Sequence, residues 1–474
     1  MNKHVLFFYT VLSSLLMMCI AASPAMFENQ KPIGIWEGTL SVGQIKLRVL
    51  FKIHSVNDTL KVSFDSPDQG TKDIPANLVE AVNDSILIEV PSIGGKYEGL
   101  LSAQSDSLHG NWKQGPYTIP LKMHRIEKVK EVLRPQEPKP PFPYREEEVT
   151  FENKKDSVKF AGTLTLPQGE GPFPAAILIT GSGAQNRNEE LLGHKPFLVL
   201  SDYLTRNGIA VLRYDDRGVG GSTGNVSQST TKSFAGDVLQ AVEYLRIRKE
   251  IDSKKIGLIG HSEGGVVAPL AASQSSNIAF IVLMAGTGVT GEEIMLPQIE
   301  SMEQMVNAPA AEIHAKLQMY KKYFDLLKAN VDTIVFAEKR RAMASEYISH
   351  LSDSTSKTKT VVNVESELNR MNYPWFRFFL SYDPKTALRK VRCPVFAING
   401  EKDRQVLAAL NLQNIEKALK KGKNKKYTIK EFKGLNHLFQ HSQTGSQMEY
   451  GKIEETVAPE VLDAISDWII KTVK

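Results

Sequence analysis

Apolar and polar positions alternate every second residue over about residues 33–125, in short runs such as Ile45-Lys46-Leu47-Arg48-Val49-Leu50 and Ser85-Ile86-Leu87-Ile88-Glu89-Val90. A period of two sends successive side chains to opposite faces of a strand. Turn signals separate the runs at Asn57-Asp58, Pro67-Asp68, Asn83-Asp84, Gly94-Gly95 and Gly115-Pro116. About eight strands with tight connections are expected, in a meander that curls or closes on itself. Gly34-Ile35-Trp36-Glu37-Gly38 and Gly110-Asn111-Trp112 each set a bulky aromatic beside glycines, as a crowded bend of a small barrel or sandwich requires. The stretch Arg134–Tyr144, RPQEPKPPFPY, favours extended polyproline geometry and reads as a semi-rigid spacer.

Beyond about residue 145 the pattern changes to continuous apolar runs: Ala175–Thr180, Ile209–Tyr214, Ile256–Gly260, Phe280–Met284 and Val395–Asn399. Such runs fit strands buried on both faces of a parallel sheet. Helical periods lie between them, as in Phe234, Val238, Val242 and Leu245, with Thr231 or Ser233 as the expected cap. A last helix carries Pro459 in its first turn and Val461, Ile465, Trp468 and Ile469 on its apolar side. The interval between Met284 and Val395 is far longer than a crossover needs and is rich in helix formers over Ala310–Ala329 and Val335–Leu351. It predicts a helical cap inserted at about 287–385. The expected organisation is therefore a signal peptide over 1–25, a β-rich barrel-like domain over 31–126, a proline-rich linker over 127–145, and a doubly wound α/β domain over 146–474.

The signal peptide rests on Lys3 and His4, the apolar stretch Val5–Ala22, and small residues at Ala21, Ala22, Ser23 and Ala25. Export to the periplasm or the cell exterior follows, with an uncleaved membrane anchor as the alternative. Removal of the signal takes Cys19 with it and leaves Cys393 alone, so no internal disulfide is expected and Cys393 reads as a core residue. The net charge of +5 is spread over both signs. Its densest basic run, Lys420–Lys426, lacks the interleaved aromatics of a single-strand nucleic-acid surface and reads as a solvated turn. No nucleic-acid partner, cofactor or metal is expected, and the oligomeric state stays open.

Candidate chemistry begins at Gly260-His261-Ser262-Glu263-Gly264, a Gly-x-Ser-x-Gly match entered from the strand run Ile256–Ile259 and left through the helical run Val266–Ala272. So sharp a turn needs small neighbours and pushes the serine hydroxyl to the top of the sheet. A hydroxyl needs a base to become a nucleophile. His437, in the loop after the expected strand Thr428–Phe432, is favoured over His441. Asp403, in the loop after Val395–Asn399, is favoured over Glu401 as the carboxylate that orients the imidazole. The N–H of Glu263 and that of Ser182 in Gly181-Ser182-Gly183 are the candidate oxyanion donors. Trp375 and Phe376, among the aromatics near the cap's return, line a substrate pocket or form the cap's own core.

These motifs, with Arg213-Tyr214-Asp215-Asp216-Arg217-Gly218-Val219-Gly220, Asn399-Gly400-Glu401-Lys402-Asp403 and Asn436-His437, resemble the α/β-hydrolase superfamily. The likeness is to its two-domain esterases with a β-rich N-terminal domain and a helical cap; it covers about residues 145–474 well and the N-terminal part loosely. It implies Ser262, Asp403 and His437 as nucleophile, acid and base, and an architectural role for the Asp216-Arg217-Gly218 loop. Thr180 departs from the histidine that many relatives carry before the oxyanion glycine. Hydrolysis of small-molecule carboxylic esters is the expected activity. A peptidase or amidase with the same triad is the second reading, and a non-catalytic surface binding protein the third.

Overall fold

The computed structural model describes residues 32–474 apart from 43–44, 58, 83, 116, 131, 330 and 353–359. The expected signal peptide lies outside the described residues. Two compact units are present.

The first contains eight strands: β1 (Gly34–Val42), β2 (Ile45–Val56), β3 (Thr59–Ser66), β4 (Thr71–Val82), β5 (Ser85–Val90), β6 (Gly95–Leu101), β7 (Ser107–Gln114) and β8 (Tyr117–Ile126). They form a closed barrel in chain order, with β1 returning antiparallel to β8 through Ile35 opposite Ile126. Alternation dictates the interior: Ile86, Ile88 and Val90 of β5 are buried while the residues between them are half-exposed. The rings of Phe51, Phe64, Tyr97 and Trp112 are buried together, Trp112 stacking on Phe64 at 5.3 Å. Trp36 and Trp112, the paired aromatics of the sequence, are both fully buried. A Cβ on Gly110 would overlap the carbonyl of Glu98, which is why no side chain stands beside Trp112 there.

The second unit is built on a sheet of β9 (Arg145–Asn153), β10 (Val158–Leu166), β11 (Phe173–Ile179), β12 (Ala210–Tyr214), β13 (Ile251–His261), β14 (Phe280–Met284), β15 (Val395–Gly400) and β16 (Tyr427–Phe432). Its order is β16-β15-β14-β13-β11-β12-β10-β9. The six strands from β11 to β16 are parallel; β10 is antiparallel to its neighbour β12, and β9, antiparallel to β10, closes the edge in the direction of the parallel set. Each apolar run in the sequence became a strand. Helices cover both faces. On one, α1 (Pro196–Arg206) and the last helix Pro459–Val473 bury Phe197, Leu204, Val461 and Ile465. On the other, α2 (Thr231–Arg246), α3 (Gly264–Ala272) and the helix Ala408–Lys421 bury Val238, Val242, Val267 and Ile415. The cap of α2 is not Thr231 or Ser233: Thr230 takes the extended N-cap conformation, its N–H donating to Ser233 Oγ at 3.2 Å. That register releases the Thr231 hydroxyl for another partner. Between β14 and β15 run α4 (Gly291–Met305), α5 (Ala310–Lys328), α6 (Thr333–Ser349), α7 (Val361–Arg370) and α8 (Pro374–Ser381), with a core of their own around Tyr323, Phe324, Leu368 and Phe376.

Residues Arg134 and Gln136 do not float as a bare spacer. The Arg134 guanidinium donates to the carbonyls of Ile453 at 2.7 Å and of Gly193 at 3.0 Å, and the Gln136 amide donates to that of Val457 at 2.6 Å. Cys393 is half-buried against the core, and burial pushes its thiol up to about 12. The lysine run begins in the last turn of the helix Ala408–Lys421 and leads into β16.

Gly260 ends a strand where the chain doubles back, and a Cβ there would overlap the Gly264 carbonyl. Gly260→Ala is expected to lower stability by about 1–3 kcal/mol through overpacking, read as an earlier urea midpoint for the α/β unit.

Candidate active site

Strand order reverses between β11 and β13, since β12 lies on the far side of β11. At such a switch point the loops beyond the carboxyl ends diverge and leave a crevice. The ladder keeps those ends level: Ile179 lies opposite Gly260, Gly260 opposite Leu283, Leu283 opposite Ala397 and Ala397 opposite Ile429. The loops carrying Gly181–Gly183, Ser262, Asp403 and His437 therefore open along one edge of the sheet.

Ser262 sits between β13 and α3 with φ +53°, a left-handed conformation that a non-glycine residue adopts at a cost of about 1–3 kcal/mol. Its N–H donates to the Met284 carbonyl at 2.8 Å and its carbonyl accepts from Gly265 at 2.9 Å, so both neighbours hold the strained turn. His437 Nδ1 meets Asp403 Oδ2 at 2.7 Å, with both residues buried. Asp403 Oδ1 accepts the N–H groups of Gln405 and Val406, each at 2.8 Å, which fixes the carboxylate. The competing residues are engaged elsewhere. Glu401 accepts the Gly434 N–H at 2.9 Å and braces the loop that carries His437. His441 is exposed and lies between Glu455 at 2.9 Å and Glu460 at 3.2 Å. No hydrogen bond joins Ser262 Oγ to His437 among the described residues. In unliganded sites such bonds are often long and tighten only with substrate.

The group that ties these loops together carries no mark in the sequence. Glu189, buried in the loop after β11, accepts the Gly181 N–H at 2.7 Å and lies 2.9 Å from His261 Nδ1, through the same oxygen. His261 Nε2 in turn lies 3.0 Å from the His437 carbonyl. Both ring nitrogens thus face acceptors. Burial opposes a charge on His261, but the Glu189 carboxylate and the His437 carbonyl outweigh it and raise its pKa.

The Gly181 loop lies against Ser262: a Cβ on Gly181 would stand 3.3 Å from that of Ser262. The N–H groups of Ser182 and Glu263 enter no hydrogen bond among the described residues, while that of Gly181 is taken by Glu189. Thr180 donates to both oxygens of Asp216 at 3.0 Å. Burial pushes Asp216 up to about 8, against the opposing bonds from Gln185 and Thr180. Arg217 pairs with Asp237 at 2.6 Å and Asp156 at 2.5 Å, bracing the strand end.

A cavity of about 350 Å³ opens at Ser262. Ser182, Ser262 and Glu263 line it from the sheet, and Trp375, Phe376 and Phe379 from the cap. Phe376 faces the cavity and also packs 5.9 Å from Phe324 in the cap core, while Trp375 stacks on Phe379 at 5.1 Å. Glu263 is buried; its Oε1 accepts from the Thr231 hydroxyl and the Trp375 indole N–H, each at 2.7 Å. Burial pushes its carboxyl up to about 7, over those two opposing bonds. Among the described residues no group of three His, Cys, Asp or Glu side chains is placed to hold a metal ion.

The strained serine between strand and helix and the buried carboxylate–imidazole pair at the same sheet edge have the makings of a serine hydrolase on an α/β-hydrolase fold. Residues 196–443, more than half of the chain, match the hydrolase family described as serine aminopeptidase, S33, and the chain belongs to that family. It is 26% identical over 324 residues to esterase EstD of Thermotoga maritima, a match covering 68% of each chain. Over 127 residues it is 32% identical to acyl-coenzyme A thioesterase 1 of Mus musculus, covering 26% of each chain. A solved structure of the Pyrococcus furiosus esterase Pf2001 superposes with a TM-score of 0.41 at 17% identity, over 73% of this chain and 100% of that one.

The raised carboxyl of Glu263 has a thermodynamic consequence. Between the ordinary carboxyl range and about 7 the folded state keeps a proton that the unfolded chain has released, so this contribution to stability fades as pH rises through 7. From pH 6 to pH 8 wild type should lose on the order of 1 kcal/mol relative to Glu263→Gln, which has no such proton. Urea titrations of both proteins at the two pH values measure the difference.

Proposed function

We propose that the protein hydrolyses carboxylic esters of small molecules through an acyl-enzyme on Ser262. His437, oriented by Asp403, takes the hydroxyl proton as Oγ attacks the carbonyl carbon. The N–H groups of Glu263 and Ser182 receive the negative charge that develops on the carbonyl oxygen. His437 passes its proton to the leaving alcohol as the C–O bond breaks. Water, deprotonated by the same imidazole, then releases the acid and restores Ser262. Ser262 thus acts as nucleophile, His437 as general base and acid, and Asp403 as its orienting partner.

The observation that carries this reading is the buried 2.7 Å Asp403–His437 contact at the same sheet edge as the strained serine. Support for esters comes from the relatives: the one matched over two thirds of both chains is named an esterase, and a shorter match is named a thioesterase. The family's description names an aminopeptidase, but these relatives favour esters over amides as substrates. The N-terminal pattern of Lys3, His4 and Val5–Ala22 adds export, with a mature N-terminus after Ser23 or Ala25. No helix among the described residues is long and apolar enough to cross a membrane.

Ser262→Ala and His437→Ala should each cut hydrolysis of a short acyl ester by roughly a thousandfold or more, and Asp403→Asn by at least about a hundredfold. Labelling by a fluorophosphonate should vanish in Ser262→Ala alone among surface-serine controls. Undiminished turnover in Ser262→Ala would sink the assignment.

A further inference from the structure

One polar atom beside the nucleophile is left over. Glu263 Oε2 is buried and has no hydrogen-bond partner among the described residues, while Oε1 is already saturated by Thr231 and Trp375. Glu263 retains only 7% of its exposure and lines the same cavity as Ser262. An unmet carboxylate oxygen in a closed site is costly, so a structure that keeps one has a use for it. The Thr231 and Trp375 bonds also anchor the side chain from two elements, α2 and the cap, which leaves it little freedom to turn elsewhere. Among the described residues Arg370 is the one cation lining the cavity, and it forms no ion pair with Glu263. The stacked rings of Tyr373, Trp375 and Phe379 complete the surroundings.

We infer that Glu263 Oε2 is a specificity contact that accepts a hydrogen bond from the substrate, so that the ester this site prefers carries an O–H or N–H donor a few atoms from the scissile carbonyl. The inference rests on the hydrolase reading above and narrows its substrate class. Two sources share the chemistry, a hydroxyl and an ammonium. The aromatic faces favour the ammonium, since they attract a cation where they would not attract a neutral group.

The test uses pairs of esters, each donor-bearing ester beside its carbon isostere. On the alcohol side these are hydroxyethyl and propyl butanoate, and dimethylaminoethyl and isoamyl butanoate. On the acyl side they are ethyl hydroxypropanoate and ethyl butanoate, and ethyl dimethylaminopropanoate and ethyl isocaproate. The readout is the kcat/KM ratio within each pair, in which any general loss of activity cancels. Wild type should favour the donor member of at least one pair by about tenfold or more. Glu263→Gln should bring that ratio close to one, with Glu263→Met as the alternative variant if the amide does not fold. A preference in the hydroxyl pairs or in the ammonium pairs identifies the source. Equal rates within every pair in wild type, or a preference that survives in both variants, overturns the inference while leaving the hydrolase reading intact. Wild type inert on all eight esters overturns both.

Discussion

The contact on which the site depends is the buried pair of Glu189 and His261, which lie 2.9 Å apart. One carboxylate oxygen holds the amide of Gly181, and the far side of the imidazole holds the carbonyl of His437. The loop after β11, the turn after β13 and the loop after β16 are thereby bound to a single charged group. None of those loops is regular structure, so without the pair nothing within the sheet would fix their mutual distance to the precision that acyl transfer demands. A buried pair of this kind is expensive to desolvate, and here Glu189 Oε1 carries both contacts while Oε2 has no hydrogen-bond partner among the described residues.

A second layer of acids surrounds this pair. Asp216 is raised by burial to about 8, so it need not add a full negative charge here near neutral pH. The Thr180 hydroxyl is bound to Asp216, whose carboxylate also accepts the Gln185 N–H, so the end of β11 is tied to the loop that follows it.

How much of this was legible in the sequence depended on how local each cause was. The strand runs Ile177–Ile179, Leu258–Gly260 and Ile281–Met284 declared themselves because burial on both faces leaves no polar alternation to mislead. The turn at Ser262 was legible because glycines at 260 and 264 are demanded by atoms only a few residues away. The sequence favours Asp403 over Glu401 by its distance from the strand end and His437 over His441 by its short glycine-containing loop; in the structure Asp403 and His437 are in contact while Glu401 and His441 are engaged elsewhere. The hairpin β9–β10 was not named, since the charged face of Arg145-Glu146-Glu147-Glu148 masks its alternation. Glu189 lies in the polar run Asn186–Glu190, where nothing marks one acid from the next; its role is created by partners 72 residues away in sequence. The capping of α2 shifted by one residue for a similar reason, because three hydroxyl residues in a row offer equivalent local bonds and the distant carboxylate of Glu263 decides which one is spent on the cap.

The N-terminal barrel invites a different thought. Because β1 zips onto β8, every strand has two neighbours and the main chain offers no row of vacant donors and acceptors. A visiting polypeptide cannot join this sheet as an extra strand. Whatever the barrel recognises must be read through outward side chains or the connecting turns, a mode in which specificity is written residue by residue.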